Sequence, residues 1–334
     1  MKKRFADINI LKGIGIILVV WGHIGITCSY DSGAYLPWYE IKSIIYSFHM
    51  PLFFIVSGFL AAYSTENRQI DYLAYVKKIV PRFVIPFFSF SLIIATAKLL
   101  SVHFSQSGLM YPVSVGTIYW NFINPYFGYA PLLWFIYTLF IIQLAYPLLV
   151  RLLEHDALVL VISLLFTPYD LPAVFCIGPV VIHLPFFAIG SILFKTNFRQ
   201  PSMKKIHILW SCVAIMLFAM LHVYFWHATF SYFFLGCLGT YVCWVLSSML
   251  AEIKLYFMEY IGKISLDIYL WHTTFNGVFL FMFSIILPAN SFWLLAVTVC
   301  FSIVLVNVCL AKILVRFPKI CYALYGRAAE ANSM

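Results

Sequence analysis

The chain has 334 residues, of which 63% are apolar or aromatic and only 10% are charged, and it contains 33 Phe and 22 Tyr. This composition excludes a soluble globular domain, because such a domain carries roughly 25% charged residues and could not cover so many aromatic side chains. The net charge of +9 does not indicate nucleic-acid binding, because the Lys and Arg residues gather in alternate connections between apolar runs.

Two features that are typical of secreted or metal-binding proteins do not carry that meaning in this chain. The N-terminal run resembles a signal peptide, but no small-residue cleavage site follows it and polar Trp21-Gly22-His23 interrupts it, so we expect a retained first helix. The eight cysteines form no CxxC pair and mostly lie in apolar segments. We therefore expect neither a disulfide framework nor a zinc site.

Apolar runs along the chain predict membrane-spanning helices, since a helix needs about 17 to 25 residues to cross the hydrocarbon core. The long runs are 8–28, 41–63, 80–102, 131–150, 172–194, 206–226, 230–250, 264–286 and 291–315. A shorter run, 157–169, could span, re-enter or lie at the interface. The sequence predicts an all-α, polytopic integral membrane bundle of about ten transmembrane helices, as a single domain over 1–334.

The basic residues predict the orientation of the chain. They lie at 2–4, 77–82, 195–205 and 312–327, whereas the connections between these groups contain almost none. The positive-inside rule therefore places both termini, with the tail 317–334, in the cytoplasm. This alternation requires the short run 157–169 to cross the membrane.

Ionisable residues inside apolar runs are candidate functional residues, because each is costly in lipid unless it faces a partner or a watery cavity. Lys12 and His23 are eleven positions apart, which places them on one face of the first helix, roughly 16 Å apart. His49 lies at a similar predicted depth in the second helix, so the two imidazoles could meet. Alternatively, Lys12 snorkels to the headgroups and His23 is a hydrogen-bonded packing histidine.

Other candidates lie further along the chain. Lys78 and Arg82 open the third helix and could bind phosphate, although positive-inside anchoring explains them as well. His272 is predicted about a third of the way across the membrane from the cytoplasmic side. No carboxylates and histidines are found at metal-ligand spacing, so no metal is expected. Possible substrate contacts are Trp134, Ser57, Asp7 and His272.

Six segments, in order, carry a resemblance to a known family: "DINILKGIGIILVVWGH" (7–23), "FHMPLFFIVSGFL" (48–60), "RFVIPFF" (82–88), "LWFIYTLF" (133–140), "LPFFAIGSILF" (184–194) and "ISLDIYLWH" (264–272). The chain resembles the acyltransferase-3 superfamily of bacterial membrane proteins, especially its fucose 4-O-acetylase-like branch of surface-polysaccharide O-acetyltransferases. The first two segments are the specific ones. The family's first-helix basic residue and histidine match Lys12 and His23, and its third-helix basic cluster matches Lys78 and Arg82. The family often has a second arginine where this chain has Lys78.

The resemblance implies a multi-pass protein of the bacterial inner membrane that transfers an acyl group, usually acetyl, from cytoplasmic acyl-coenzyme A. The acceptor would be a hydroxyl of a surface polysaccharide or lipid-linked glycan, and membrane lipids would be the other partner. The cofactor phosphates would dock against Lys12, Lys78 and Arg82. His23 would act as general base or accept the acyl group itself, and His49 would orient His23 or donate to the oxyanion.

Two other classes of function stay open at this point. A transporter or flippase of lipid-linked sugars or small metabolites would also use aromatic helices broken by prolines, although we find no inverted repeat. An assembly partner in a polysaccharide export complex is the other alternative. It predicts that His23→Ala leaves the function intact.

Overall fold

The computed structural model describes residues 6–24, 36–66, 71–102, 112–169, 171–172, 174–196, 205–225, 228, 230–287 and 292–327. Every regular element in these ranges is helical, which confirms the predicted all-α fold. Three 3₁₀ turns lie at Pro125–Phe127, Pro131–Leu133 and Val174–Cys176. The α-helices are α1 (Ala6–His23), α2 (Leu36–Thr65), α3 (Tyr72–Val102), α4 (Val115–Ile123), α5 (Trp134–Leu153), α6 (Asp156–Phe166), α7 (Ile177–Lys195), α8 (Lys205–Phe225), α9 (Ser231–Glu252), α10 (Tyr256–Lys263), α11 (Ser265–Ile286), α12 (Phe292–Leu314) and α13 (Pro318–Tyr325).

Nine helices within the described ranges are long and apolar enough to cross a bilayer, namely α1, α2, α3, α5, α7, α8, α9, α11 and α12. Large apolar side chains are exposed on these helices. On α8, for example, Met216 and Val223 are 64% and 71% exposed, which suits a lipid environment and would be costly in water. The chain is a polytopic membrane bundle, as predicted.

Helix α6 corresponds to the short predicted span and has only 11 residues. A straight helix of this length rises about 16 Å, roughly half of the hydrocarbon core. The beginnings of α5 and α7 lie together, because the rings of Trp134 and His183 are 5.3 Å apart. Their later parts also lie together, with the rings of Tyr146 and Phe187 4.8 Å apart. The two helices therefore run in the same direction, and the segment between them returns the chain to its starting level.

The contacts divide the chain into two compact units. Unit 1 contains Met1–Ser57, Lys195–Ala311 and Met334, and unit 2 contains Gly58–Phe194 and Lys312–Ser333. The two units are described separately below. A single domain over the whole chain stays a prediction.

Helix α1 lies at the centre of unit 1, where it packs against α9, α10 and α11. Glycine permits its close approach to α10, because a Cβ on Gly262 would overlap the backbone oxygen of Asn9 and one on Gly13 would press on that of Met258. Among the buried residues of α1 are Ile8, Leu11, Ile16 and Val20. The helix that carries His23 is therefore enclosed by apolar packing on several sides.

Aromatic side chains in unit 1 pack the end of α1 against the starts of α2 and α12. The ring of Trp38, at the start of α2, lies 5.4 Å from Trp21 near the end of α1. The same ring lies 5.1 Å from Phe292 at the start of α12. The cytoplasmic location of both termini stays a prediction.

In unit 2, part of the segment predicted as a tail forms α13 and packs on α3. Ser89 Oγ donates to the Ala323 carbonyl at 2.7 Å, and the Tyr325 side chain is buried beside Phe90. Gly326 ends α13 with φ +60°, a left-handed cap that glycine favours. A Cβ there would overlap the backbone oxygen of Pro81.

Candidate active site

The candidate site lies at the end of α1, whose last residue is His23. The imidazole is partly buried and its Nδ1 lies 2.8 Å from the backbone oxygen of Val19, one turn earlier. The ring therefore stays against its own helix. An ionisable side chain at the end of an apolar helix is costly in lipid unless it faces a partner or a watery cavity.

Two further imidazoles from α2 and α11 surround His23. The His272 ring lies 5.0 Å from the His23 ring at an interplanar angle of 79°. The His49 ring lies 6.5 Å away at 82°. His49 is 2% exposed and His272 is fully buried. The structure thus gathers three histidines that are far apart in the sequence into one cluster within unit 1.

All three histidines make the same local hydrogen bond, and this fixes their tautomers. The Nδ1 of His49 lies 2.7 Å from the Ile45 oxygen, and that of His272 lies 2.6 Å from the Tyr269 oxygen. Because a carbonyl can only accept, each neutral ring carries its proton on Nδ1 and leaves Nε2 as an acceptor. An imidazole in this form is ready to take a proton at Nε2.

The end of α1 is also held by two side chains from neighbouring helices. Tyr46 donates its hydroxyl to the Gly22 carbonyl at 3.2 Å, and Asn276 donates its amide to the His23 carbonyl at 2.8 Å. The Tyr46 ring lies 5.7 Å from His23 and 5.0 Å from His49. Lys42 Nζ lies 5.4 Å from the centre of the same ring.

Two acceptor atoms in this cluster are buried and have no hydrogen-bond partner among the described residues. They are Nε2 of His272 and Oδ1 of Asn276, which are one helical turn apart on α11. A buried acceptor without a partner costs free energy. Such atoms are rare in folded proteins and call for an explanation, which function can supply.

The depth of His272 differs from the expectation based on the sequence. Counting from the start of α11 placed it about a third of the way across, well below His23. In the structure α10 packs along α1, with Gly262 against Asn9 and Gly13, so α11 starts beside the interior of α1 and not level with its beginning. The His272 and His23 rings are 5.0 Å apart, so the two residues lie at the same level.

Two predicted residues on α1 lie away from the imidazoles. Asp7 is buried and its carboxylate accepts from Trp244 Nε1 at 3.4 Å. It lies about 24 Å from His23 along the helix, so the structure does not group it with the cluster. Lys12 is partly buried and lies on the face of α1 that carries His23, about three turns earlier.

The other predicted residues lie elsewhere in the chain. Lys78 and Arg82 are exposed on α3 of unit 2. Trp134, also in unit 2, packs beside His183 and Tyr126. Ser57 is partly buried on α2, about 12 Å along the helix from His49. Within unit 1, the structure brings together His23, His49 and His272 from the predicted set.

The comparison with protein families matches residues 5–312 to the acyltransferase-3 family, described as an acyltransferase domain. The chain belongs to the acyltransferase-3 family. No curated protein and no solved structure matches it. Membership makes this protein a membrane acyltransferase and implies an acyl donor.

Sequence reasoning missed two side chains of this acyltransferase that contact the end of α1. Tyr46 lies three residues before His49, and Asn276 lies four residues after His272. Each therefore shares a helix face with a predicted histidine. That spacing could have identified both residues as neighbours of the cluster.

Among the described residues, no group of three or more His, Cys, Asp or Glu side chains has the geometry to hold a metal ion. The Nδ1 atoms of His23, His49 and His272 face backbone oxygens.

Proposed function

We propose that this acyltransferase transfers an acetyl group from cytoplasmic acetyl-coenzyme A to a hydroxyl of a surface or lipid-linked carbohydrate. The setting is the inner membrane of a bacterium, and His23 is the general base. The observation that supports this best is the distance of 2.8 Å between Nδ1 of His23 and the Val19 oxygen. Because that oxygen can only accept, Nδ1 of the neutral ring carries the proton and Nε2 is the basic atom at the partly exposed end of α1.

The proton transfer proceeds through Nε2 of His23. This atom takes the proton of the sugar hydroxyl while the hydroxyl oxygen attacks the thioester carbonyl. The tetrahedral intermediate collapses, the C–S bond breaks, and the coenzyme A thiolate leaves and takes up the proton from His23. The products are the sugar ester and free coenzyme A, and His23 is again neutral.

His49 and His272 suit different roles in the reaction at His23. Because the Nδ1 proton of His49 is held by the Ile45 oxygen, its neutral ring has no N–H at Nε2 for an oxyanion. His49 is therefore better suited to orient the pocket through Tyr46, because the centres of their rings are 5.0 Å apart. His272 lies nearer to His23 and offers a buried acceptor to a bound hydroxyl.

The donor would approach along the face of α1 that carries Lys12. A Lys ammonium about three turns before His23 suits a phosphate of coenzyme A, while the thioester at the far end of its arm reaches the imidazole. Lys78 and Arg82 remain predicted cofactor-binding residues. Trp134 and Ser57 remain predicted substrate contacts.

The test uses membranes that contain the protein, acetyl-coenzyme A and a hydroxylated glycan, with free coenzyme A thiol as the readout. We expect release that depends on the glycan, abolished by His23→Ala and kept by His207→Ala, a matched control at a half-buried histidine on α8. Unchanged release in His23→Ala would refute the base. No release by the unmodified protein would favour a transporter. The added mass on the glycan identifies the acyl group.

A further inference from the structure

The end of α1 is capped by side chains from two other helices. The last four carbonyls of an α-helix have no partner within the helix. The Trp21 carbonyl accepts from the backbone N–H of Ile24 at 3.2 Å. The next two carbonyls, of Gly22 and His23, accept from Tyr46 and Asn276.

We propose that Tyr46 and Asn276 are positioning residues, which hold the last turn of α1 between α2 and α11 and so fix the His23 imidazole. This inference rests on the proposed role of His23. Neither residue needs to touch a substrate, because each acts through a backbone carbonyl at or next to the histidine. The pair links the three helices that carry the imidazole cluster.

The need for such caps follows from the place of His23 in its helix. A terminal residue lacks the following turn that holds an interior residue, and helix ends fray. A misplacement of about 1 Å at a reacting group can reduce the rate by about 100-fold. The Asn276 bond joins residues that are 253 positions apart, so it fixes the end of α1 to a separate helix.

The amide of Asn276 has a matched control within the same unit. Asn307, on α12, is also buried, donates Nδ2 to a carbonyl at 2.8 Å and leaves Oδ1 without a partner among the described residues. Its acceptor, however, is the Ile303 oxygen of its own helix. Asn276→Leu and Asn307→Leu therefore remove the same chemistry, and only the first releases the end of α1.

The hydroxyl of Tyr46 also has a matched control. Tyr75 donates to the Gln143 carbonyl at 3.2 Å, and it is partly buried on α3. Tyr46→Phe and Tyr75→Phe each remove one such bond and keep the ring. Both variants lose only a hydroxyl, so they should fold even if Asn276→Leu does not.

The experiment measures kcat and KM for acetyl-coenzyme A on purified protein, normalised to the folded fraction, together with the thermal midpoint. We expect Asn276→Leu and Tyr46→Phe to lower kcat by about 10- to 100-fold with KM unchanged. Asn307→Leu and Tyr75→Phe should keep kcat. Asn276→Gln, which keeps an amide donor, should recover part of the loss.

Asn276→Asp separates the donor from the unpaired acceptor at a pH where its carboxyl is ionised, because it then keeps Oδ1 and has no donor. We expect it to be as slow as Asn276→Leu at that pH. A normal kcat there would overturn the inference, as would equal losses in Asn276→Leu and Asn307→Leu. If His23→Ala keeps full activity, the proposed base fails; if it is inactive while both capping variants are normal, only the positioning role fails.

Discussion

The imidazole of His272 lies 5.0 Å from that of His23 and nearly perpendicular to it. Of the two histidines that neighbour His23, His272 is the nearer. It is fully buried, and its Nε2 has no hydrogen-bond partner within the part of the chain that is described. Folding gains little from such an atom, since a buried acceptor without a partner is destabilising. Its position beside a partly exposed histidine indicates a role in function.

His272→Phe should separate stability from activity. Phenylalanine keeps a planar ring and removes both the unpaired acceptor and the Nδ1 bond to the Tyr269 oxygen, so the thermal midpoint should change little. Thiol release should fall at least about 10-fold, because the ring next to His23 can no longer accept a proton or hydrogen bond. Paired melting and activity measurements check this. A variant that melts early, or one that is fully active, would contradict it.

The approach of His23 and His49 was predictable because both residues lie in long apolar helices joined by one connection. Their depths follow from helical rise alone. His272 was predicted too low, because its level depends on α10, a short helix with a charged and aromatic sequence that no hydropathy window selects. A glycine contact between backbones sets that level, and sequence periodicity does not report such contacts.

The caps on α1 were not predictable in the same way. The hydrogen bond from Asn276 to His23 joins residues 253 positions apart, and an asparagine in an apolar run fits several explanations. Helix α13 was missed because its eight residues are too short for a span. Both features depend on tertiary packing, whereas the spans themselves depend on composition.

Gly262→Ala should destabilise the protein and reduce its activity together. The new methyl group would overlap the Asn9 backbone oxygen, and a backbone cannot move aside without shifting α10 against α1. Overpacking of this kind costs about 1–3 kcal/mol, and the shift would displace the start of α11 and hence His272. The melting midpoint and thiol release of the variant measure the two effects.

The matched control for this change is Gly277→Ala on α11, where a Cβ would meet no atom within 4 Å. Replacing an interior helical glycine by alanine should stabilise by about 1 kcal/mol. The two substitutions should therefore shift the melting midpoint in opposite directions. A shift of the same sign in both would show that contact between α1 and α10 is not what requires glycine at 262.

Tyr325→Ala tests whether α13 is an integral part of unit 2. The side chain is 1% exposed and lies beside Phe90 on α3, so its removal should cost about 3–5 kcal/mol and lower the melting midpoint. Tyr322→Ala, on the same helix but 49% exposed, is the control and should have almost no effect. Equal midpoints for both variants would mean that α13 does not pack on α3.

Arg82→Gln should weaken binding of the acyl donor if the predicted phosphate contact exists. Lys78 and Arg82 are four positions apart and share one face of α3, whereas Lys77 lies about 100° around the helix from Lys78. All three side chains are exposed, so Lys77→Gln removes the same charge from another face. We expect Arg82→Gln to raise the KM for acetyl-coenzyme A about 10-fold, as loss of a charge-assisted bond would, with the KM for the glycan unchanged.

Arg82→Lys should recover only part of the affinity because ammonium lacks the planar fork of guanidinium. Equal KM values for Arg82→Gln and Lys77→Gln would leave membrane anchoring as the role of this basic cluster.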